Sequence, residues 1–206
     1  MNQTMKFIVD KISAMEGSIT TSTINEDGRV NSIHDEDSII DMMISIFGED
    51  NIKKQRPRHW FDVLFFGIPL QIKSSSFSNN AADNFSAKKA LLWAFTNMTE
   101  SDIDRAKVSW KKFDNLLLSN LDENTSRDYY ILVFNKDEST FHVHSLKTLE
   151  TLTSNGSNLP FQINWKINRK VVNRNFTEAK KFVLSAYKSS IERAVNRHQG
   201  ILNYDI

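Results

Sequence analysis

At 206 residues the chain is long enough for one sizeable core, and its 40% hydrophobic and 25% charged content with only 6 Gly and 3 Pro excludes fibrous, linker-rich and wholly disordered classes. The absence of cysteine removes disulfide staples, zinc knuckles, thiolate clusters and a cysteine nucleophile together, and suits a reducing cytosol. A net charge of +1 announces no polyanion binder, but the charge is segregated: residues 1–50 carry 3 basic against 10 acidic side chains, residues 157–206 carry 9 against 3. A basic face on a nearly neutral protein is one consequence, and a local field is what a polyanion feels. Solvated helix faces that differ in sign are the plainer alternative.

The chain opens on MNQTMKFIVDKISAMEG, where Lys6, Asp10 and Lys11 interrupt any apolar run. That pattern is neither a secretion signal nor a membrane span and predicts an opening helix. HDEDSIIDMMISIFGED follows, with Ile40, Met43, Ile44 and Phe47 at helical spacing, acids in the first turn and Gly48 as a stop. No internal repeat or linker divides the chain, so a single domain over 1–206 is expected, with 1–32 as a possible N-terminal helical appendage.

Residues 60–66 read as a strand, Gly67, Ile68 and Pro69 as a turn, and 70–74 as the returning strand of a hairpin. A polar loop, SSSFSNNAADNFS, leads into the amphipathic SAKKALLWAFTNM, and 101–121 reads as one further helix. The run 129–134 is a buried strand, TFHVHS its partner, and SLKTLETL a short helix. FQINWKINRK alternates apolar and polar residues as a half-buried strand over 161–170, and a long basic helix over 175–198 closes the chain. The order predicts an α/β fold with a mixed central sheet flanked by helices.

The hairpin carries three polar side chains in an apolar setting: Asp62, Gln71 and Lys73. Alternation sends Gln71 and Lys73 to one face of their strand, and Asp62 across the hairpin reaches the same neighbourhood. Burying a carboxylate, an amide and an ammonium without partners costs several kcal/mol, so they must satisfy one another, water or an ion. Oxygen ligands beside a lysine suit metal-assisted phosphodiester hydrolysis: the ion activates water and neutralises developing charge, and the lysine positions the nucleophile. The structural alternative has Asp62 capping a strand end beside Arg58 while Gln71 and Lys73 line a solvent face.

This pattern, Asp62 with Gln71-Ile72-Lys73 on a hairpin preceded by an acidic helix and followed by another helix, resembles the PD-(D/E)xK nuclease superfamily. More specifically, it looks like the type II restriction endonucleases that carry a QxK variant. The resemblance covers roughly residues 33–98, departing at Phe61, where the motif has proline, and at Gln71, where it has an acid. It implies a restriction-endonuclease-like fold, catalytic Asp62, Gln71, Lys73 and Glu36, and Mg²⁺, with Mn²⁺ as a substitute, on Asp62, Gln71 and Glu36. Asp37 is the other candidate for the helix acid, and both acids also suit a helix N-terminus. It further implies double-stranded DNA as substrate, 5′-phosphate and 3′-hydroxyl products, a homodimer matched to a palindrome, with 101–121 and 177–198 as dimer surfaces, and a prokaryotic cytosolic location.

Lys53, Lys54, Arg56 and Arg58 precede the hairpin and are candidates for phosphate contacts; a solvated loop is the alternative. Asn79, Asn80, Asn84, Lys166, Arg169, Lys170 and Arg174 surround strand ends and are candidates for groove contacts, although Asn is also a common turn residue. His142 and His144 share a strand face without a third ligand nearby and are set aside. No P-loop, dinucleotide fingerprint or GxSxG elbow occurs. Other nucleases of the same fold (repair, junction-resolving or transposon-end), a silent DNA-binding module and a domain without a nucleic-acid role stay open.

Overall fold

The computed structural model describes residues 2–15, 28–78, 82–85, 88–106, 109–155 and 161–197. It is mixed α/β and divides into two compact units, one made of residues 1–80 and 129–145, the other of 81–128 and 146–206.

The first unit is built on a five-stranded mixed sheet. Its strands are β1 (Ile52–Lys54), β2 (Val63–Phe65), β3 (Ile68–Ser75), β5 (Tyr130–Asn135) and β6 (Thr140–Ser145), in that spatial order. β1, β2 and β3 form an antiparallel meander, β5 runs parallel to β3, and β6 returns antiparallel. Two helices, α1 (Gln3–Ile12) and α2 (Gly28–Phe47), bury Met5, Ile8, Ile12, Ile39, Ile40 and Met43 against Val63, Phe65, Leu70, Ile72, Tyr130 and Leu132. α1 begins where Asn2 accepts the Met5 N–H, and α2 stops before Gly48, whose φ of 82° only glycine adopts cheaply. The α2 face runs through Ile40 and Met43 as their spacing predicts.

The hairpin forms, but its turn lies one step earlier than the position of Pro69 suggests. Phe65 pairs with Ile68 around a two-residue loop in which Phe66 and Gly67 have φ of 50° and 77°. That is the type I′ geometry whose twist matches the flanking strands. Pro69 sits inside β3 opposite Leu64, the non-hydrogen-bonded pair next to the turn, and the parallel pairing to β5 starts only at Leu70. Its missing N–H therefore costs no ladder bond.

The second unit holds α3 (Lys88–Phe95), α4 (Glu100–Arg105), α5 (Trp110–Ser119), α6 (Phe176–Arg197) and a three-stranded sheet of β4 (Ala82–Phe85), β8 (Phe161–Asn164) and β7 (Thr153–Ser154). Four expectations are corrected there. The helix expected over 101–121 is two: Thr99 and Asp102 form a reciprocal capping box for α4, and Ser109 caps a fresh start for α5. The polar loop contains β4, whose Asp83 accepts from Trp165 Nε1 at 2.6 Å and whose Asn84 faces Gln162 of β8. The strand expected to run to residue 170 ends at Asn164, because Asn164 accepts the Lys166 and Asn168 N–H groups and turns the chain, leaving Ile167 51% exposed. SLKTLETL is a turn rather than a helix. Arg174 Nη1 donates to the carbonyls of Lys147 and Leu149, and Lys147 is drawn over the rings of Phe95 and Phe176. Carbonyls held by a guanidinium have no need of helical N–H partners.

No helix among the described residues is long and apolar enough to cross a membrane.

Candidate functional site

Alternation along β3 buries Leu70 and Ile72 in the core of the first unit and turns Gln71 and Lys73 to the opposite face. Asp62 stands one residue before β2, its own N–H still donating to the Leu70 carbonyl of β3 at 3.1 Å. Its Oδ2 takes the place of a main-chain acceptor and receives the Ile72 N–H at 2.7 Å. The same oxygen receives Gln71 Nε2 at 2.5 Å, and Nε2 also makes a long 3.5 Å contact with the Ile72 carbonyl. Asp62 Oδ1 makes no hydrogen bond with the described residues.

Lys73 Nζ donates to Glu36 Oε1 of α2 at 2.8 Å, with both side chains only about one-fifth exposed. The neighbouring acid goes elsewhere: Asp37 pairs with Lys54 on the edge strand β1 at 2.9 Å. The spacing of α2 thus separates the two helix acids, Glu36 to the lysine of the hairpin and Asp37 to the surface.

Burial holds the Asp62 carboxyl above its ordinary range, while the Lys73 ammonium and the Ile72 N–H pull it down. Tyr129, at the entry to β5, is fully buried and donates from Oη toward the Trp60 carbonyl and toward Gln71 Oε1, the latter at 2.8 Å. Burial first, then the nearby Asp62 charge, pushes its phenol well above the usual value, so it stays protonated. The sequence reading missed Tyr129. The available signal was its hydroxyl at the head of an otherwise apolar run, since a buried tyrosine seeks a partner for its O–H.

Asp62, Glu36 and Gln71 are the oxygen donors at hand, a set that suits a hard cation such as Mg²⁺ or Mn²⁺. Two carboxylates and an amide fall short of an acid-rich cage, and among the described residues no three His, Asp or Glu side chains gather as a metal site. Mg²⁺ tolerates such a sparse set because it keeps water and draws further ligands from substrate phosphates. The one mismatch is Gln71, whose NH₂ and not its oxygen faces Asp62.

The other candidates are dispersed. Lys53, Arg56 and Arg58 are exposed at and after β1, with Arg58 at φ 65°. Asn79 and Asn80 lie outside the described residues. In the second unit Asn84 accepts from Asn155 and Gln162, while Lys166, Arg169 and Lys170 are exposed around the turn after β8. The Arg169 and Lys170 N–H groups both donate to Glu150. Arg174 is committed internally, to two carbonyls and to the face of Phe182 at 3.9 Å. His142 stacks on His144 and packs against Phe77.

No protein-family model matches the chain, and no curated protein matches it.

Proposed function

We propose that the chain is a Mg²⁺-dependent DNA endonuclease with a restriction-endonuclease-like fold, acting on double-stranded DNA in the manner of the type II enzymes that its motif resembles. The observation that carries this reading is the convergence of Asp62, Gln71 and the Lys73–Glu36 pair at one end of a hairpin, with α2 before the β1–β3 meander and the parallel strand β5 following it after β4 and α3–α5.

Asp62, Glu36 and Gln71 would hold the ion, which supplies water activation and neutralises charge developing on the phosphate. Lys73, held 2.8 Å from Glu36 Oε1, would orient the attacking water and lend positive field to the phosphate oxygens. Hydrolysis forms one bond from water oxygen to phosphorus and breaks the bond to the 3′ oxygen, which leaves as a hydroxyl after taking a proton; the 5′-phosphate stays on the other fragment. Lys53, Arg56 and Arg58, exposed at and after β1, would supply phosphate contacts, and Lys166, Arg169 and Lys170 offer a second exposed basic group. Two protomers related by a two-fold axis would match a palindromic site and cut one strand each.

Incubating the protein with phage DNA in Mg²⁺, beside Asp62→Ala, tests this. Discrete fragments that vanish in the variant are expected. Intact DNA in both Mg²⁺ and Mn²⁺ would overturn it. A second reading, a DNA-binding module that has lost catalysis, is favoured by the Gln71 amide giving N–H to Asp62 where an acid would offer oxygen. Salt-dependent duplex binding without cleavage in either metal is its signature.

A further inference from the structure

The hydrogen-bond count around Tyr129 does not close. Its hydroxyl has one proton, yet two acceptors converge on Oη: the Trp60 carbonyl and Gln71 Oε1. One proton serves both only as a shared, three-centre bond, so at least one of the two contacts is weak. On the far side of the same amide, Nε2 donates to Asp62 Oδ2, which already holds the Ile72 N–H. The amide sits between a phenol that can accept and a carboxylate that only accepts.

A half-turn of the amide about its last rotatable bond exchanges its oxygen and nitrogen and inverts this balance. Nε2 would donate to Tyr129 Oη, and the phenolic proton would go to the Trp60 carbonyl, so every group on that side is satisfied. On the other side Oε1 would face Asp62 Oδ2, two acceptors that repel unless a cation lies between them. Neither backbone nor Asp62 has to move, because the Ile72 N–H fixes the carboxylate in both arrangements. Without a cation the Asp62 side decides the orientation, and with one the Tyr129 side agrees with it.

We propose that Tyr129 is a positioning residue that turns the Gln71 amide between two states, N–H toward Asp62 without the ion and oxygen toward Asp62 with it. This rests on the metal-site reading above and extends it. It explains how a glutamine serves where the related motif has an acid: a carboxylate presents oxygen on both sides and needs no such partner, whereas an amide needs an acceptor for its nitrogen. The buried, protonated phenol with its proton directed to a main-chain carbonyl is that acceptor.

The test is a double-mutant cycle on Mn²⁺ affinity, with free Mn²⁺ followed by electron paramagnetic resonance in wild type, Tyr129→Phe, Gln71→Glu and the double variant. Tyr129→Phe is expected to weaken binding about five- to tenfold, the worth of one hydrogen bond, with less than about a twofold effect in the Gln71→Glu background. In parallel, the Gln71 side-chain NH₂ resonances of ¹⁵N-labelled wild type are expected to move on saturation with diamagnetic Mg²⁺, as their acceptor changes from carboxylate to phenol. Equal affinity in Tyr129→Phe, an equal loss in both backgrounds, or unmoved NH₂ resonances would overturn the role given to Tyr129 while the metal site stands. Absence of Mn²⁺ binding by folded wild type, with and without duplex DNA, would instead overturn the metal site itself, and Tyr129's role with it.

Discussion

Two carboxylates flank the same strand and behave oppositely. Asp62, near the start of β3, accepts from the Ile72 N–H and Gln71, yet its pKa is raised, because burial outweighs the Lys73 charge and those bonds. Asp137, beyond the end of β3, accepts from Ser76 Oγ and the N–H groups of Phe77 and Ser78, and its pKa is lowered. Burial acts on Asp137 too and is the largest single influence, but the bonds from Ser76, Ser78 and Phe77 together exceed it. Both carboxylates are hydrogen-bonded; what differs is how much solvation each has lost. Asp137 receives one hydroxyl and two N–H donors in holding a turn, whereas Asp62 keeps one oxygen without a hydrogen bond to the described residues and a charge that burial opposes.

The largest effect should come from exchanging alanine for each in turn. Asp62→Ala or Lys73→Ala is expected to lower DNA cleavage at least about a thousandfold, the scale of removing a principal electrostatic group, with the protein still folded. Asp137→Ala should leave the cleavage rate constant unchanged and cost about 1 kcal/mol of stability, as loss of a capping carboxylate does. Equal cleavage by Asp62→Ala and wild type would erase the distinction. Parallel rate assays and urea denaturation of the three variants provide the check.

The two helix acids sharpen the same point. Glu36–Lys73 and Asp37–Lys54 are nearly equal in length, 2.8 and 2.9 Å, but the first pair is 20–22% exposed and the second 46–52%. Glu36→Ala, which removes the carboxylate 2.8 Å from a part-buried ammonium, is expected to destabilise by about 1–2 kcal/mol, against less than about 0.5 kcal/mol for Asp37→Ala. Equal midpoint shifts in urea would mean that burial is not what separates them.

Sequence pattern anticipated the parts of the molecule that depend on local period. The α2 face, the hairpin and the alternation that puts Gln71 and Lys73 together follow from spacings of three, four and two, and they bring the candidate residues into one place. What was not legible depends on partners distant in sequence. β1 is three residues long with Lys53 and Lys54 exposed, so nothing in its own composition marks it as an edge strand. The 147–149 turn exists because Arg174, a residue that looked available for groove contacts, supplies donors to its carbonyls. Tyr129 reads as one more aromatic in a buried run until Gln71 and Trp60 are seen to meet at its hydroxyl.

The smallest expected effect carries a sign that distinguishes the two carboxylates. As pH falls, an unfolded chain protonates Asp137 near the ordinary 3.8 while the native chain, with its lower pKa, is still ionised. The unfolded state then binds more protons, so stability falls with falling pH through that window. The margin of wild type over Asp137→Asn should therefore be fully present at neutral pH and fade below the ordinary carboxylate range, by roughly half a kcal/mol given the exposure of the group. Asp62 has the opposite sign: the native state keeps its proton to higher pH, so ionisation costs stability as pH rises through its raised value, and Asp62→Asn should gain on wild type over that rise. Urea midpoints of both variants between acid and neutral pH should show margins with opposite slopes. Parallel slopes would mean that hydrogen bonding, and not lost solvation, governs both groups, and the distinction between a carboxylate that holds a turn and one whose charge burial opposes would fail.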